Sequence, residues 1–295
     1  MEFIIFDLEW NSVKKPDDRK FINEIIEIGA VLLNEQLQET DSFSTLIRPS
    51  ISEKLNSYVK SLTHIQEEQL KNQPDFLTVI QTFKRWANRK NCVFLSWSNT
   101  DLHVLAENYD CFLHQHKVDF IRQYADLQKY VSLFLKTENN NQVALGAAAE
   151  QLGIDTREFA LHRALDDSRL CAALLRQTYQ KKRFKPYISN VLTGTFYERL
   201  LFKPYYITDP DSPLLDKKIF MPRCPQCGKK LQRTGKIRQN NALLQANYRC
   251  EKCDAAYRLR VKCKKTYDNI DIKRNLALRR PKTVASKQPG DASGS

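Results

Sequence analysis

The sequence predicts an α/β unit of roughly 180 residues followed by a much smaller β unit, and three observations carry that prediction. Apolar stretches of strand length alternate with stretches of helical period up to about residue 180. Two Cys-x2-Cys pairs follow, Cys224/Cys227 and Cys250/Cys253, with 22 residues between them. The charge is also divided. Residues 1–180 hold 20 Lys or Arg and 25 Asp or Glu, whereas residues 181–295 hold 27 and 9, so a net −5 precedes a net +18 within a chain total of +13. A strongly basic unit favours a polyanion, nucleic acid before anionic membrane.

The elements follow in order. Residues 2–10 open with the apolar run FIIF, cut off by DLEW, which reads as a buried strand ending in acids. IIEIGAVLL (25–33) and FSTLI (43–47) complete a strand meander, closed by Pro49. Over 75–88, Phe76, Val79, Ile80, Phe83 and Trp86 have helical spacing, and Asp75 after Pro74 suits an N-cap. CVFLSW (92–97) reads as a strand, with a helix starting near Asp101. Helices are expected over 119–136, over 142–153 (ending at Gly153) and over 163–180, where Leu165, Leu170, Ala173, Leu174 and Leu175 lie on or near one face. The run KKRFKP closes the first domain at 183; residues 184–222 read as a linker or packed extension, 223–268 as the cysteine-bearing unit, and 281–295 as disordered.

Several classes are excluded. No run of about 18 apolar residues is present, so no membrane span is expected. The first residues, MEFIIFD, lack the basic start and apolar run of a signal peptide. Cys92, Cys111 and Cys171 are scattered, as small buried residues of a reduced, cytoplasmic protein would be.

Asp7 and Glu9 stand two apart at the end of a strand, so both carboxylates point to one face. Like charges that close are costly, and a divalent cation is the usual remedy. Asp101 follows the second apolar strand, and His162 precedes Asp167 by five residues at the start of the 163–180 helix. Asp166 and Asp167 diverge by about 100° on a helix, so only one of them can face the other acids, and the one left is a first-turn carboxylate favoured by the helix dipole. The remaining histidines, His64, His103, His114 and His116, read as surface residues.

The order D-x-E, helix-starting Asp, then H-x4-D resembles the DEDDh exonucleases, the DnaQ-like 3′–5′ exonuclease group with a ribonuclease H-like fold. EIIEIGAV (24–31), SLTHIQEEQL (61–70, with His64 where Gly is usual), FLSWSNTDLHVL (94–105) and LGAAAEQLGI (145–154) resemble the connecting segments, so the likeness spans about residues 1–180. DLEW with W-x3-D is closer to the RNA-trimming and KapD-like branches. The resemblance implies a mixed sheet flanked by helices. It also implies that Asp7, Glu9, Asp101 and Asp167 hold two Mg2+ or Mn2+ ions, with Asp7 between them. His162 would act as base toward water, releasing nucleoside 5′-monophosphates. His64 would lie in the segment that lines the terminal nucleotide.

Four thiolates at the spacing of Cys224, Cys227, Cys250 and Cys253 suit one tetrahedral Zn2+, closed and therefore structural, in a β zinc ribbon. Gly228 follows the first pair, where a turn with positive φ is common. Cys263 is left over. A unit this small has too little core to fold well unaided, so zinc would supply stability. Twelve basic side chains lie between Lys229 and Lys265, with Tyr248 and Tyr257 among them. Cations can track phosphates while aromatics stack on bases. The sequence thus points to a metal-dependent 3′–5′ exonuclease acting on single-stranded RNA or DNA with a free 3′ end, its zinc ribbon binding substrate. The alternative is a nuclease-fold regulatory or adaptor protein whose ribbon binds protein or nucleic acid. No membrane partner is expected.

Overall fold

A computed structural model describes residues 1–15, 20–136 and 142–279. The expected disordered tail, 281–295, lies outside them. The chain forms two compact units, Met1–Leu201 and Phe202–Ser295.

The first unit is built on a six-stranded mixed sheet. Its strands are β1 (Glu2–Lys14), β2 (Phe21–Leu33), β3 (Glu39–Leu46), β4 (Cys92–Ser96), β5 (Gln123–Asp126) and β6 (Ser189–Asn190), in the spatial order β3-β2-β1-β4-β5-β6. The β1–β2–β3 meander is antiparallel, as the sequence predicts; β4 and β5 run parallel to β1, and β6 returns antiparallel. The helices are α1 (Ser57–Thr63), α2 (Glu67–Leu70), α3 (Phe76–Trp86), α4 (Asn99–Leu113), α5 (Leu127–Val131), α6 (Leu145–Gln151), α7 (Ala164–Thr178), α8 (Lys181–Phe184) and α9 (Gly194–Leu200).

Alternation along β1 sends Ile4, Phe6 and Leu8 to one face of the sheet, against Phe76, Phe83 and Leu105 of α3 and α4. Phe3 and Ile5 go to the other face, against Tyr130, Leu174 and Leu175 of α5 and α7. Asp75 caps α3 as its position suggests, accepting from the Thr78 N–H at 2.9 Å.

Two expectations are corrected. The stretch 119–136 is not one helix. Gln123–Asp126 is a strand beside β4, and Asp126 then caps the short α5 by accepting from the Lys129 N–H at 3.0 Å. Pairing with a neighbouring strand overrides the local helical pattern. The boundary also moves. Phe184 packs edge-on to Tyr130 with ring centroids 4.8 Å apart, and Val191 and Tyr197 join the opposite core, so residues 184–201 complete the first unit.

The second unit is a β-sheet with its own core. Its strands are β7 (Tyr205–Tyr206), β8 (Gln232–Arg233), β9 (Arg238–Asn240), β10 (Leu243–Cys250), β11 (Ala255–Lys265) and β12 (Ile270–Leu278), so the sheet runs past residue 268. Leu244, Tyr248, Tyr257, Leu259 and Val261 fill the core with Ile219 and Phe220. Among the described residues no helix is long and apolar enough to cross a membrane.

Candidate active site

The pairing of β1 with β4 ends at Ile5–Leu95, while its pairing with β2 continues to Lys14–Phe21. Beyond residue 5, β1 therefore has one open edge, and Asp101 comes to it, outside the group that Asp7, Glu9 and Asp167 form. Asp101, in the first turn of α4, reaches across and accepts from the Leu8 N–H at 3.3 Å. Asp7 and Glu9 lie on the face covered by α7, since Phe3 and Ile5 of the same parity pack there. A bulge after Glu9 ends this regular stretch.

Gly29, opposite Asp7 in the β1–β2 register, lets α7 approach. A Cβ on Gly29 would sit 2.1 Å from the Leu165 nitrogen. Ser168 fastens the contact by donating to the Gly29 carbonyl at 3.0 Å. The first turn of α7 is thereby pressed onto the sheet and delivers Asp167. Carboxylate oxygens of Asp7, Glu9 and Asp167 lie within 4.8 Å of one another. Asp166 turns away; it accepts from the Ala160 N–H at 3.3 Å and lies 3.7 Å from Arg169.

His162 meets the site through its main chain. Its N–H donates to Asp167 Oδ2 at 3.2 Å, its φ is +65°, and the residue is exposed. A left-handed conformation is strained for a non-glycine residue, and such strain clusters at functional turns. His64 caps α1 with φ +59° and is exposed.

The electrostatics are those of a site short of positive charge. Burial, then the charges of Asp101, Asp167, Glu9 and Glu27, hold Asp7 well above the usual carboxylate range. Burial and the charges of Asp167, Glu27 and Asp101 drive Glu9 up to about 9, against the pull of Arg163. Burial lifts Asp101 to about 7, and lifts Asp167 to about 6 against the His162 N–H. Asp167 Oδ1 is buried without a hydrogen-bond partner. An orphaned buried oxygen, facing acids that resist ionising together, is what a hard divalent cation would satisfy.

Three contributors escape sequence reasoning. Glu27 is directly opposite Glu9 in the β1–β2 register and 1 % exposed, a like-charge pair that costs stability unless compensated. Arg163 compensates it, its guanidinium meeting the Glu27 carboxylate at 2.8 Å. Gly29 is the third. The glycine inside an otherwise apolar strand was the available signal, because such a residue often marks close backbone approach.

In the second unit, the sulfurs of Cys224, Cys227, Cys250 and Cys253 lie within 4.8 Å of one another, with Cys224–Cys253 at 4.0 Å and Cys227–Cys250 at 3.5 Å. Those separations bracket the edge of a tetrahedron with Zn–S bonds of about 2.3 Å. Both pairs end in a left-handed residue, Gly228 at φ +72° and Asp254 at φ +46°. Burial works against ionising Cys224, but the N–H groups of Cys227 and Gln226 and the Tyr257 hydroxyl outweigh it and draw the thiol down to about 6. The four residues thus fit a zinc ion. Cys263 is buried in the core, away from the four.

The expectation for Tyr248 and Tyr257 is overturned. They are 2 % and 3 % exposed, Tyr248 donating to the Phe220 carbonyl at 2.5 Å and Tyr257 contacting Cys224 Sγ at 3.6 Å. Neither ring is free to stack on a base.

A mixed sheet with a central strand bearing clustered carboxylates, completed by an acid from a helix docked on its face, defines a ribonuclease H-like α/β protein. The comparisons agree. The RNase T family model, described as exonuclease, matches residues 4–175, and the chain belongs to that family. ERI1 exoribonuclease 2 of Xenopus laevis is 31% identical over 196 residues, covering 58% of this chain and 27% of that protein. The Bacillus subtilis protein named "Probable 3'-5' exonuclease KapD" is 29% identical over 184 residues, covering 61% of this chain and 86% of the relative. The chain thus spans about a quarter of the first relative and most of the second. The crystal structure of the nuclease domain of 3'hExo, a DEDDh family member bound to rAMP, superposes with a TM-score of 0.51 at 27% identity, covering 60% of this chain and 90% of that one.

Proposed function

We propose that this chain is a metal-dependent 3′–5′ exonuclease that trims single-stranded nucleic acid from a free 3′ end and releases nucleoside 5′-monophosphates. The convergence of Asp7, Glu9 and Asp167, with the Asp167 Oδ1 buried and unpartnered, carries the reading. Asp7, Glu9, Asp101 and Asp167 would hold two Mg2+ or Mn2+ ions. Bound there, such ions activate water and offset the charge that develops on the phosphate. His162, its main chain tied to Asp167 through its N–H, would accept the proton of the attacking water once its exposed ring turns toward the acids. Arg163 pairs with Glu27 and offsets part of the negative charge beside Glu9. Gly29 and Ser168 hold α7 against the sheet, so the acids keep their spacing while substrate changes.

Cys224, Cys227, Cys250 and Cys253 would hold one structural Zn2+, and the basic ribbon would bind the substrate strand. The 3′hExo nuclease domain was crystallised with rAMP, the kind of 5′-monophosphate expected as product. A reducing, cytoplasmic setting would keep these four cysteines available to the metal.

The test uses the purified chain with matched end-labelled RNA and DNA strands, each with a free or blocked 3′ end, in Mg2+ or Mn2+. Stepwise shortening of the free-ended strands alone is expected, and the faster of the two polymers names the substrate. No shortening at any metal concentration would overturn the reading.

A further inference from the structure

The second unit's sheet has two unlike faces. Tyr257, Leu259, Val261 and Cys263 of β11 point into the core. Arg258, Arg260, Lys262 and Lys264 alternate with them and share the other face. The register extends this face sideways. Gln245 and Asn275 flank Arg260 on β10 and β12, Asn247 stands opposite Arg258, and Arg238 of β9 stands opposite Gln245. Asp271, opposite Lys264, is an acid on the same face.

Three features fit a ligand better than mere solvation. Lys262 lies directly opposite Lys273, a like-charge cross-strand pair that destabilises an empty sheet. Amide side chains interleave the cations, and beside Asn247 and Arg258 the surface dips into a cavity of about 420 Å3, also lined by Lys236 and Arg238. Tyr206, opposite Lys264, is 39 % exposed, with the Lys262 ammonium 4.6 Å from its ring centroid. Alternate residues of a strand repeat every 6.8 Å or so. That places the four cations of β11 close to the phosphate repeat of an extended single strand.

We propose that this outer face, and not the cysteine-knuckle end of the unit, is a platform for single-stranded nucleic acid. Arg258, Arg260, Lys262 and Lys264 follow the phosphates along β11. Tyr206 stacks on a base, and Asn247, Gln245 and Asn275 offer donors and acceptors to base edges. An acidic protein segment would use the cations but has no need of paired amides and an exposed ring. The proposal deepens, and rests on, the reading of the ribbon as the substrate-holding unit.

The test uses the full chain carrying Asp7→Ala, so that substrate is not consumed, and a long labelled single strand. One variant adds Arg258→Gln, Arg260→Gln and Lys262→Gln. A second adds Lys229→Gln, Lys230→Gln and Lys252→Gln at the knuckles. The face variant is expected to weaken binding by roughly tenfold or more, and to flatten the slope of log K against log salt by about 2, some 0.7 for each phosphate no longer neutralised. The knuckle variant should bind within about twofold of the parent. Polyglutamate should compete poorly, and Lys262→Gln alone should leave Tm unchanged or raise it by relieving Lys273. Weaker binding by the knuckle variant alone would overturn the platform but leave the ribbon as the holding unit. No effect of either variant would overturn both. Displacement by polyglutamate at equal charge would make the face a protein surface, and a lowered Tm for Lys262→Gln would make the row structural.

Discussion

Gly29 and Leu165 touch so closely that a single added methyl group at Gly29 would overlap the Leu165 main chain. Through that contact β2 fixes where α7 begins, and the start of α7 fixes where Asp167 meets Asp7 and Glu9. Gly29→Ala must push the helix away. Overpacking of this kind costs about 1–3 kcal/mol, and a small displacement of a catalytic group costs about 100-fold in rate. We expect Gly29→Ala to lower Tm and to reduce exonuclease turnover far more than strand binding. Wild-type turnover in the folded variant would show that the contact does not set the site.

Asp7→Ala removes the acid that Asp101, Glu9 and Asp167 all surround. Cleavage should fall below detection while affinity for a single strand is largely kept, measured by gel assay and fluorescence anisotropy on one preparation. Normal cleavage by this variant would exclude the assigned site.

Arg163→Ala leaves Glu27 buried and unpaired opposite Glu9. Breaking a fully buried pair costs about 3–5 kcal/mol. The Arg163 side chain is 40% exposed, so solvent screens part of the loss and about 1–2 kcal/mol is expected. Adding Glu27→Gln should restore most of it. A double variant no more stable than Arg163→Ala would refute the compensation.

The pH dependence has a definite sign. The Glu9 carboxyl rises from an ordinary 4.5 to about 9 in the folded chain. The native state keeps a proton that the unfolded chain loses, so this group lowers stability as pH rises through that window when no divalent ion is bound. Glu9→Gln should melt with the wild type at the acid end of the window and progressively higher toward its alkaline end. Mg2+ should raise the wild-type Tm more at about pH 8 than at about pH 5.5, because ion binding must displace protons. An ion effect independent of pH would remove Glu9 from the cation site.

Cys250→Ser takes one thiolate from the four. The ribbon should loosen and lose bound zinc, read by metal analysis. Binding of long strands should weaken while short oligonucleotides are still trimmed. Equal loss on both lengths would mean that the ribbon does not act as a substrate holder.

The sequence by itself determined the meander, the fold class and the family. The apolar run FIIF cut off by DLEW, the cap at Asp75 and the acidic motifs are local or ordered signals that survive in one dimension. Helical geometry allowed only one of Asp166 and Asp167 to face the other acids, and the H-x4-D resemblance picked Asp167. Only the tertiary structure decided what depends on partners distant along the chain. The strand at 123–126 exists because β4 and β6 pair with it. Glu27 and Arg163 matter because register and docking bring residues 136 positions apart together. Tyr248 and Tyr257 looked like exposed stacking groups, but strand parity turns them into the core and turns Tyr206 and the β11 cations outward. Parity follows from register, and register is set by which strands meet, which the order of residues does not state.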